Sequence, residues 1–143
     1  MDKLTPERRS WNMSRIRSKD TKPEELVRNY LFLQGFRYRK NDKHLPGKPD
    51  IVLPKYKAVV FVNGCFWHGH TNCIEYRLPK TNTEFWAEKT NNNILRDQEN
   101  YKKLQELGWK VIVVWECEIT VKGKFIERMQ ILINDIKKFR SLN

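Results

Sequence analysis

The sequence is short of acidic residues, of cysteines and of long apolar runs. Its 143 residues include 17 Asp and Glu against 28 Lys and Arg, which gives a formal net charge of +11. A small protein this basic suits a polyanionic partner, and charge alone leaves both nucleic acid and an anionic membrane surface open. The longest strongly apolar stretches are residues 58–62 and 111–115. Both are far shorter than the roughly 20 residues that cross a bilayer, so we expect no membrane-spanning segment.

The cysteine content and the first residues bear on the compartment. The three cysteines, Cys65, Cys73 and Cys117, cannot all pair within one chain. Charged residues rather than an apolar leader follow Met1, which predicts a cytoplasmic protein. In that reducing compartment thiols are buried or bind metal more often than they form disulfides. A hydrophobic content of 39% excludes a disordered chain.

The chain divides into a basic arm and one domain. Residues 1–20 are polar and basic, and their large apolar residues are only Trp11, Met13 and Ile16. We interpret them as an arm that becomes ordered on its partner or against the body, and the alternative is a frayed terminus. Residues 21–143 have the length of a single domain.

The pattern of apolar residues in residues 21–143 predicts an alternation of helices and strands. Helices are predicted for residues 21–35, 84–107 and 122–139, the second broken near residues 91–93. Strands are predicted for residues 36–40, 50–53, 57–63 and 109–115, and the middle two should form an antiparallel hairpin. This order predicts an α/β fold with a mixed central sheet flanked by helices. Phe85 and Trp86 should pack inside.

Residues 64–83 show no period and carry unusual residues. Cys65, His70 and Cys73 lie close together, and Cys117 follows the last predicted strand. Cys3His is a ligand set that closes a tetrahedral zinc site, so we predict a structural zinc loop. His68 could replace His70 as the ligand. The alternative is that Cys117 is merely a buried thiol and the others are loop residues.

A hydrolytic site is predicted around Asp50, the first residue of a buried strand. A carboxylate at a sheet edge can hold Mg2+, and the backbone carbonyl of Val62 could be a further ligand. The returning strand offers neither a carboxylate nor a lysine at residues 61–63, so His68 is the candidate base. Glu24 could support the site from the first turn of the first helix. Taken singly, Asp50 would be a turn residue, His68 an idle loop histidine and Glu24 a partner of the helix dipole.

Phe66 and Trp67 are adjacent rings in this same basic loop. Such rings can wedge between stacked bases or provide a stacking platform. The alternative is that both rings fill the core beneath the loop.

Several collinear motifs resemble the very short patch repair (Vsr) family of DNA mismatch endonucleases. They span residues 12–118, most of the chain, and the most specific of them are Gly64-Cys65-Phe66-Trp67-His68, Leu45-Pro46-Gly47-Lys48-Pro49-Asp50 and Val114-Trp115-Glu116-Cys117.

The resemblance implies a restriction-endonuclease-like (PD-(D/E)XK-type) fold. It also implies Mg2+-dependent nicking of one DNA strand, 5′ to the T of a T:G mismatch left by 5-methylcytosine deamination. The implied site residues are Asp50 for Mg2+ with the Val62 carbonyl, His68 as general base and Glu24 in support. Structural Zn2+ is implied on Cys65, His70, Cys73 and Cys117, and intercalation by Phe66, Trp67 and, from the arm, Met13.

The resemblance has one departure at the site and leaves two rival functions. The family often has Thr-His where this chain has Val62-Asn63, so a hydroxyl and an imidazole are absent here. The rivals are a restriction or repair nuclease with another target and a zinc-stabilised DNA-binding module that does not cut. We expect a monomer near the nucleoid that acts on mismatched double-stranded DNA, with other mismatch-repair proteins as further partners.

Overall fold

The computed structural model describes residues 21–65, 81–121 and 123–138. Four strands and four helices lie in these ranges. The strands are β1 (Arg39–Lys40), β2 (Ile51–Leu53), β3 (Ala58–Asn63) and β4 (Lys110–Trp115). The helices are α1 (Lys22–Leu33), α2 (Thr83–Glu106), α3 (Glu116–Thr120) and α4 (Phe125–Lys137).

The strands form one mixed sheet in the order β1-β2-β3-β4. The first three strands are antiparallel to one another, and β4 runs parallel to β3. A 3₁₀ turn at Pro54–Tyr56 joins β2 to β3, and Lys57 closes it with φ 53°. The predicted hairpin and the mixed α/β architecture are therefore confirmed.

Side chains alternate between the two faces of the sheet, and each face has its own core. On one face, Ala58, Val60 and Val62 of β3 pack with residues of α1, α3 and α4. On the other face, Val59 and Phe61 pack against Leu104 of α2 and against Trp109. The sheet thus lies between two helical layers, and α2 covers one face of it.

The structure differs from the expectations about the helices at four points. Helix α2 is continuous through residues 91–93, because asparagine carries only a modest helix penalty that the long flanking segments outweigh. Phe85 does not pack inside but is 57% exposed, and Trp86 beside it is half-buried. Helix α3 was not predicted at all. The last helix begins at Phe125, while Lys122, where it was expected to begin, lies outside the described residues.

None of the helices in the three described ranges is both long enough and apolar enough to cross a membrane. The basic arm, residues 1–20, lies outside those ranges.

Candidate active site and metal-binding residues

Asp50 lies where β2 begins and beside the far end of β3. Its carboxylate Oδ2 accepts a hydrogen bond from the backbone N–H of Val62 at 2.7 Å. Its own backbone carbonyl accepts one from the N–H of Asn41 at 3.2 Å. The hairpin therefore brings the predicted carboxylate ligand and the residue predicted to offer a carbonyl ligand into direct contact.

The Val62 carbonyl faces the same edge of β3 as the N–H that Asp50 accepts, because both groups of a strand residue point toward one neighbouring strand. The β2–β3 ladder ends at the pair of Ile51 with Val60, so Val62 lies beyond its last paired residue on β3. A carboxylate and a carbonyl are both oxygen donors, which Mg2+ prefers.

Asn63, the last residue of β3, connects the sheet to α2. Its side chain is buried at 3% exposure, and its Nδ2 donates a hydrogen bond to the Tyr101 hydroxyl at 2.9 Å. The Tyr101 ring lies on the Phe61 ring, with centroids 5.0 Å apart. The polar pair therefore continues the apolar packing between β3 and α2 as far as the end of the strand.

The Tyr101 hydroxyl lies within the electrostatic influence of two carboxylates, Asp97 and Asp50. Burial is the main cause that raises its pKa to about 12; the Asn63 hydrogen bond lowers the pKa, and the negative charges of Asp97 and Asp50 contribute to the rise. Asp97 precedes Tyr101 by one helical turn on α2. The hydroxyl is therefore neutral at physiological pH, in the neighbourhood of Asp50.

Glu24 is buried in the first turn of α1 and pairs with Arg28. The Arg28 Nη1 and Glu24 Oε2 atoms are 3.4 Å apart, and both side chains are only 4% exposed. Glu24 is thus more than a partner of the helix dipole. It is one half of a buried ion pair, which neutralises its charge within the α1 layer.

Cys65 and Cys117 follow the ends of adjacent parallel strands. Asn63 pairs with Trp115 at the last position of the β3–β4 ladder, and each cysteine comes two residues after its strand's end. Cys65 is 1% exposed and Cys117 is half-buried. Two soft sulfur ligands at one end of a sheet suit Zn2+.

Hydrogen bonds of Glu118 and Arg128 fix the short helix that carries Cys117. The Glu118 carboxylate accepts the Trp115 N–H at 2.7 Å and the Arg128 Nε at 3.0 Å. Arg128 also donates through Nη2 to the Val113 carbonyl at 3.1 Å. Helix α3 is therefore connected both to β4 and to α4.

The other predicted site residues lie outside the described ranges. They are the base candidate His68, the zinc ligands His70 and Cys73, and the intercalating residues Met13, Phe66 and Trp67. Within the described ranges no group of three or more His, Cys, Asp or Glu side chains is arranged to hold a metal ion.

Sequence reasoning missed Tyr101 and Asp97. Their spacing by four residues on a predicted helix was visible and places them on one face. Nothing local linked that face to Asn63, which is 38 residues away in sequence.

Comparisons with known proteins give one consistent result. The family model described as DNA mismatch endonuclease Vsr matches residues 1–74. The chain is 56% identical over 136 residues to the type II nicking enzyme V.NmeAIP of Neisseria meningitidis, which covers 95% of this chain and 96% of that one. It is 44% identical over 126 residues to the DNA mismatch endonuclease Vsr of Escherichia coli, covering 88% and 78%. It is also 44% identical over 133 residues to the type II nicking enzyme V.XorIIP of Xanthomonas oryzae, covering 93% and 97%.

Proposed function

Because the chain belongs to the Vsr family of DNA mismatch endonucleases, we propose that it nicks one strand of duplex DNA 5′ to the T of a T:G mismatch, in a Mg2+-dependent reaction. Such a mismatch is what deamination of 5-methylcytosine leaves. The observation that carries the proposal is the contact between the Asp50 carboxylate and Val62 at 2.7 Å. It puts hard oxygen donors at the end of a hairpin, on a strongly basic protein.

The residues present fit a Mg2+ ion. Asp50 would hold it through its carboxylate, and Val62 would hold it through its backbone carbonyl. When bound, Mg2+ supplies charge stabilisation to the scissile phosphate and to the leaving oxygen. The N–H of Val62 fixes the Asp50 carboxylate before any substrate arrives, which limits the reorganisation that the reaction requires.

Proton transfer falls to His68. An imidazole with an ordinary pKa near ~6.5 is about equally able to accept and release a proton near neutral pH. In our proposal His68 takes a proton from the water that attacks the phosphorus. Glu24 supports the site, either through a water molecule or by orienting a histidine. The ion pair with Arg28 holds the Glu24 carboxylate in place.

DNA recognition combines charge with stacking. The net charge of +11 favours phosphate contacts, so binding should weaken as salt rises. Phe66 and Trp67 enter the stack from one side and Met13 from the arm. A mispaired step is easier to unstack than a Watson–Crick step, and this difference favours cutting at the mismatch. We also propose that the mixed sheet is of the restriction-endonuclease-like type.

A strand-specific nicking assay tests this function. Labelled duplexes with one T:G mismatch, or with T:A at the same position, are incubated with the full chain in Mg2+ or in EDTA. We expect a Mg2+-dependent nick 5′ to the mismatched T and none in the T:A duplex. Equal cutting of both duplexes would indicate a nuclease with another target. Tight binding with no cutting would indicate a DNA-binding module.

Two substitutions then test the site residues. Asp50→Asn preserves an oxygen that can accept the Val62 N–H but removes the charge that Mg2+ needs, and His68→Ala removes the base. We expect each to lower the nicking rate by about 100-fold or more, while DNA affinity remains. Asp42→Asn is the matched control, since Asp42 accepts only a local loop hydrogen bond from His44 in the described contacts. A near-wild-type rate in His68→Ala would refute the base assignment.

A further inference from the structure

The hydrogen bond between Asn63 and Tyr101 fixes the end of β3 from the helix above it. Asn63 is the last strand residue and follows directly on Val62. Its Nδ2 donates to the Tyr101 hydroxyl at 2.9 Å, across the interface where the Phe61 and Tyr101 rings are in contact. A buried amide without a partner is costly, so this contact holds the Asn63 side chain in one orientation.

Helix α2 is a stable base for such a contact. It continues from Thr83 to Glu106, and Leu104 on it is fully buried with Val59 and Phe61 of β3. The Tyr101 hydroxyl therefore projects from a long helix that is packed on the sheet. The end of β3 is paired with β4 but not with β2, because the β2–β3 ladder stops at Ile51 and Val60.

The contact also constrains the Val62 carbonyl. That carbonyl belongs to the peptide group between Val62 and Asn63, so a rotation of the Asn63 backbone turns it. Asp50 holds the N–H side of Val62 at 2.7 Å, and Tyr101 holds the next residue. Together the two hydrogen bonds clamp the peptide whose oxygen is the candidate Mg2+ ligand.

We propose that Tyr101 is a positioning residue for the nicking reaction, which acts through Asn63 to aim the Val62 carbonyl at the metal. The inference rests on the proposed function and deepens it. Tyr101 touches neither the metal nor the DNA in this role. Its hydroxyl can be replaced only by another group on α2 that accepts the hydrogen bond of the Asn63 side-chain amide.

The test is a comparison of wild type and Tyr101→Phe, which removes the hydroxyl and leaves the ring on Phe61. We expect kcat to fall about tenfold and the Mg2+ concentration for half-maximal activity to rise severalfold. The Kd for mismatched duplex, measured in Ca2+ or EDTA, should stay within twofold. A purely structural hydroxyl would lower the melting temperature without moving the Mg2+ dependence at temperatures well below melting.

A double-mutant cycle tests whether Tyr101 acts through Asn63. Asn63→Ala and the double variant should each lose about the same tenfold as Tyr101→Phe. A hundredfold loss in the double variant would mean that the two side chains act independently and would overturn the proposal. If Asn63→Ala does not fold, the Mg2+ dependence of Tyr101→Phe decides alone.

The control is Tyr30→Phe, which removes a hydroxyl from a partly buried tyrosine on the opposite face of the sheet, where the ring contacts Phe125. It should behave as wild type. If the wild type nicks the mismatched duplex and Tyr101→Phe has the same kcat and Mg2+ dependence, this inference is refuted and the proposed function stands. Wild type that does not nick refutes the proposed function, and the role of Tyr101 with it.

Discussion

At the residue scale, burial makes the Glu24–Arg28 ion pair matter far more for the free energy of unfolding than its i,i+4 spacing alone would. Both side chains are 4% exposed, so removing one charge leaves the other in a medium of low polarity. We expect Arg28→Met, which keeps the apolar stem, to lower the free energy of unfolding by about 3 kcal/mol. Urea denaturation of the variant and of wild type measures the difference.

The chain supplies a matched control for this prediction. Lys103 and Glu99 on α2 form a pair with the same spacing, at 3.3 Å, but their side chains are 55% and 66% exposed. Lys103→Met should cost less than about 1 kcal/mol, because water screens the charges of an exposed pair. Similar losses in the two variants would contradict the view that burial sets the energy of the Arg28 pair.

The sequence predicts single residues well where one local feature marks them. Asp50 stands out because a carboxylate begins an apolar strand, and in the structure that carboxylate accepts a hydrogen bond from the Val62 N–H. Glu24 was identified from its place in a first turn, but nothing in the sequence indicated that it would be buried with Arg28. The Asn63–Tyr101 contact joins residues 38 positions apart, and only the packing of α2 on the sheet brings them together.

At the element scale, the turn before β2 depends on Gly47. Its φ is +76°, and a Cβ added there would lie 3.1 Å from the Asn100 Cβ and 3.3 Å from the Phe61 ring. We expect Gly47→Ala to destabilise the protein by about 2 kcal/mol, from backbone strain together with this crowding. Nicking should fall as well, because the same turn leads into Asp50. Thermal denaturation and the nicking assay measure the two effects.

Gly35→Ala separates strain from crowding. Gly35 has φ +93°, but no atom lies within 4 Å of the Cβ position. Gly35→Ala should therefore lower the free energy of unfolding only by the cost of backbone strain, about 1 kcal/mol. Its nicking rate should stay that of wild type. A Gly47→Ala variant no less stable than Gly35→Ala would mean that Asn100 moves aside at no cost.

Elements with a strong local pattern were predicted, and those without one were not. The hairpin of β2 and β3 follows from β-branched runs on both sides of a Pro-Lys-Tyr turn, and it was confirmed. Helix α3 has five residues, too few to show a helical period, and it depends on the Glu118 contacts with Trp115 and Arg128. The exposure of Phe85 was missed because an apolar residue on a long helix is usually buried.

At the scale of the whole molecule, zinc would connect parts that the sheet alone leaves separate. Cys65 and Cys117 follow neighbouring strands, and the ligands proposed from the loop would tie residues 70 and 73 to them. We expect the purified chain to contain about one Zn2+. Cys117→Ser should lose most of it, and the free energy of unfolding should fall by about 3 kcal/mol or more. Metal analysis and denaturation test this.

Thr120→Ser is the control on the same short helix, since it keeps the hydroxyl that donates to the Glu116 carbonyl at 2.9 Å. Its zinc content should match that of wild type. A Cys117→Ser variant with full zinc content would mean that Cys117 is a half-buried thiol and not a ligand.

The hydrogen bonds of Arg128 and Glu118 have a consequence beyond the helix that they fix. An open strand edge invites another chain to add on, and proteins avoid polymerising by blocking such edges. Along β4, Arg128 occupies the Val113 carbonyl and Glu118 occupies the Trp115 N–H. Among the described residues, the other border of the sheet is β1, only two exposed basic residues long. Both edges of the described sheet are thereby blocked against a strand added from a second copy of the chain.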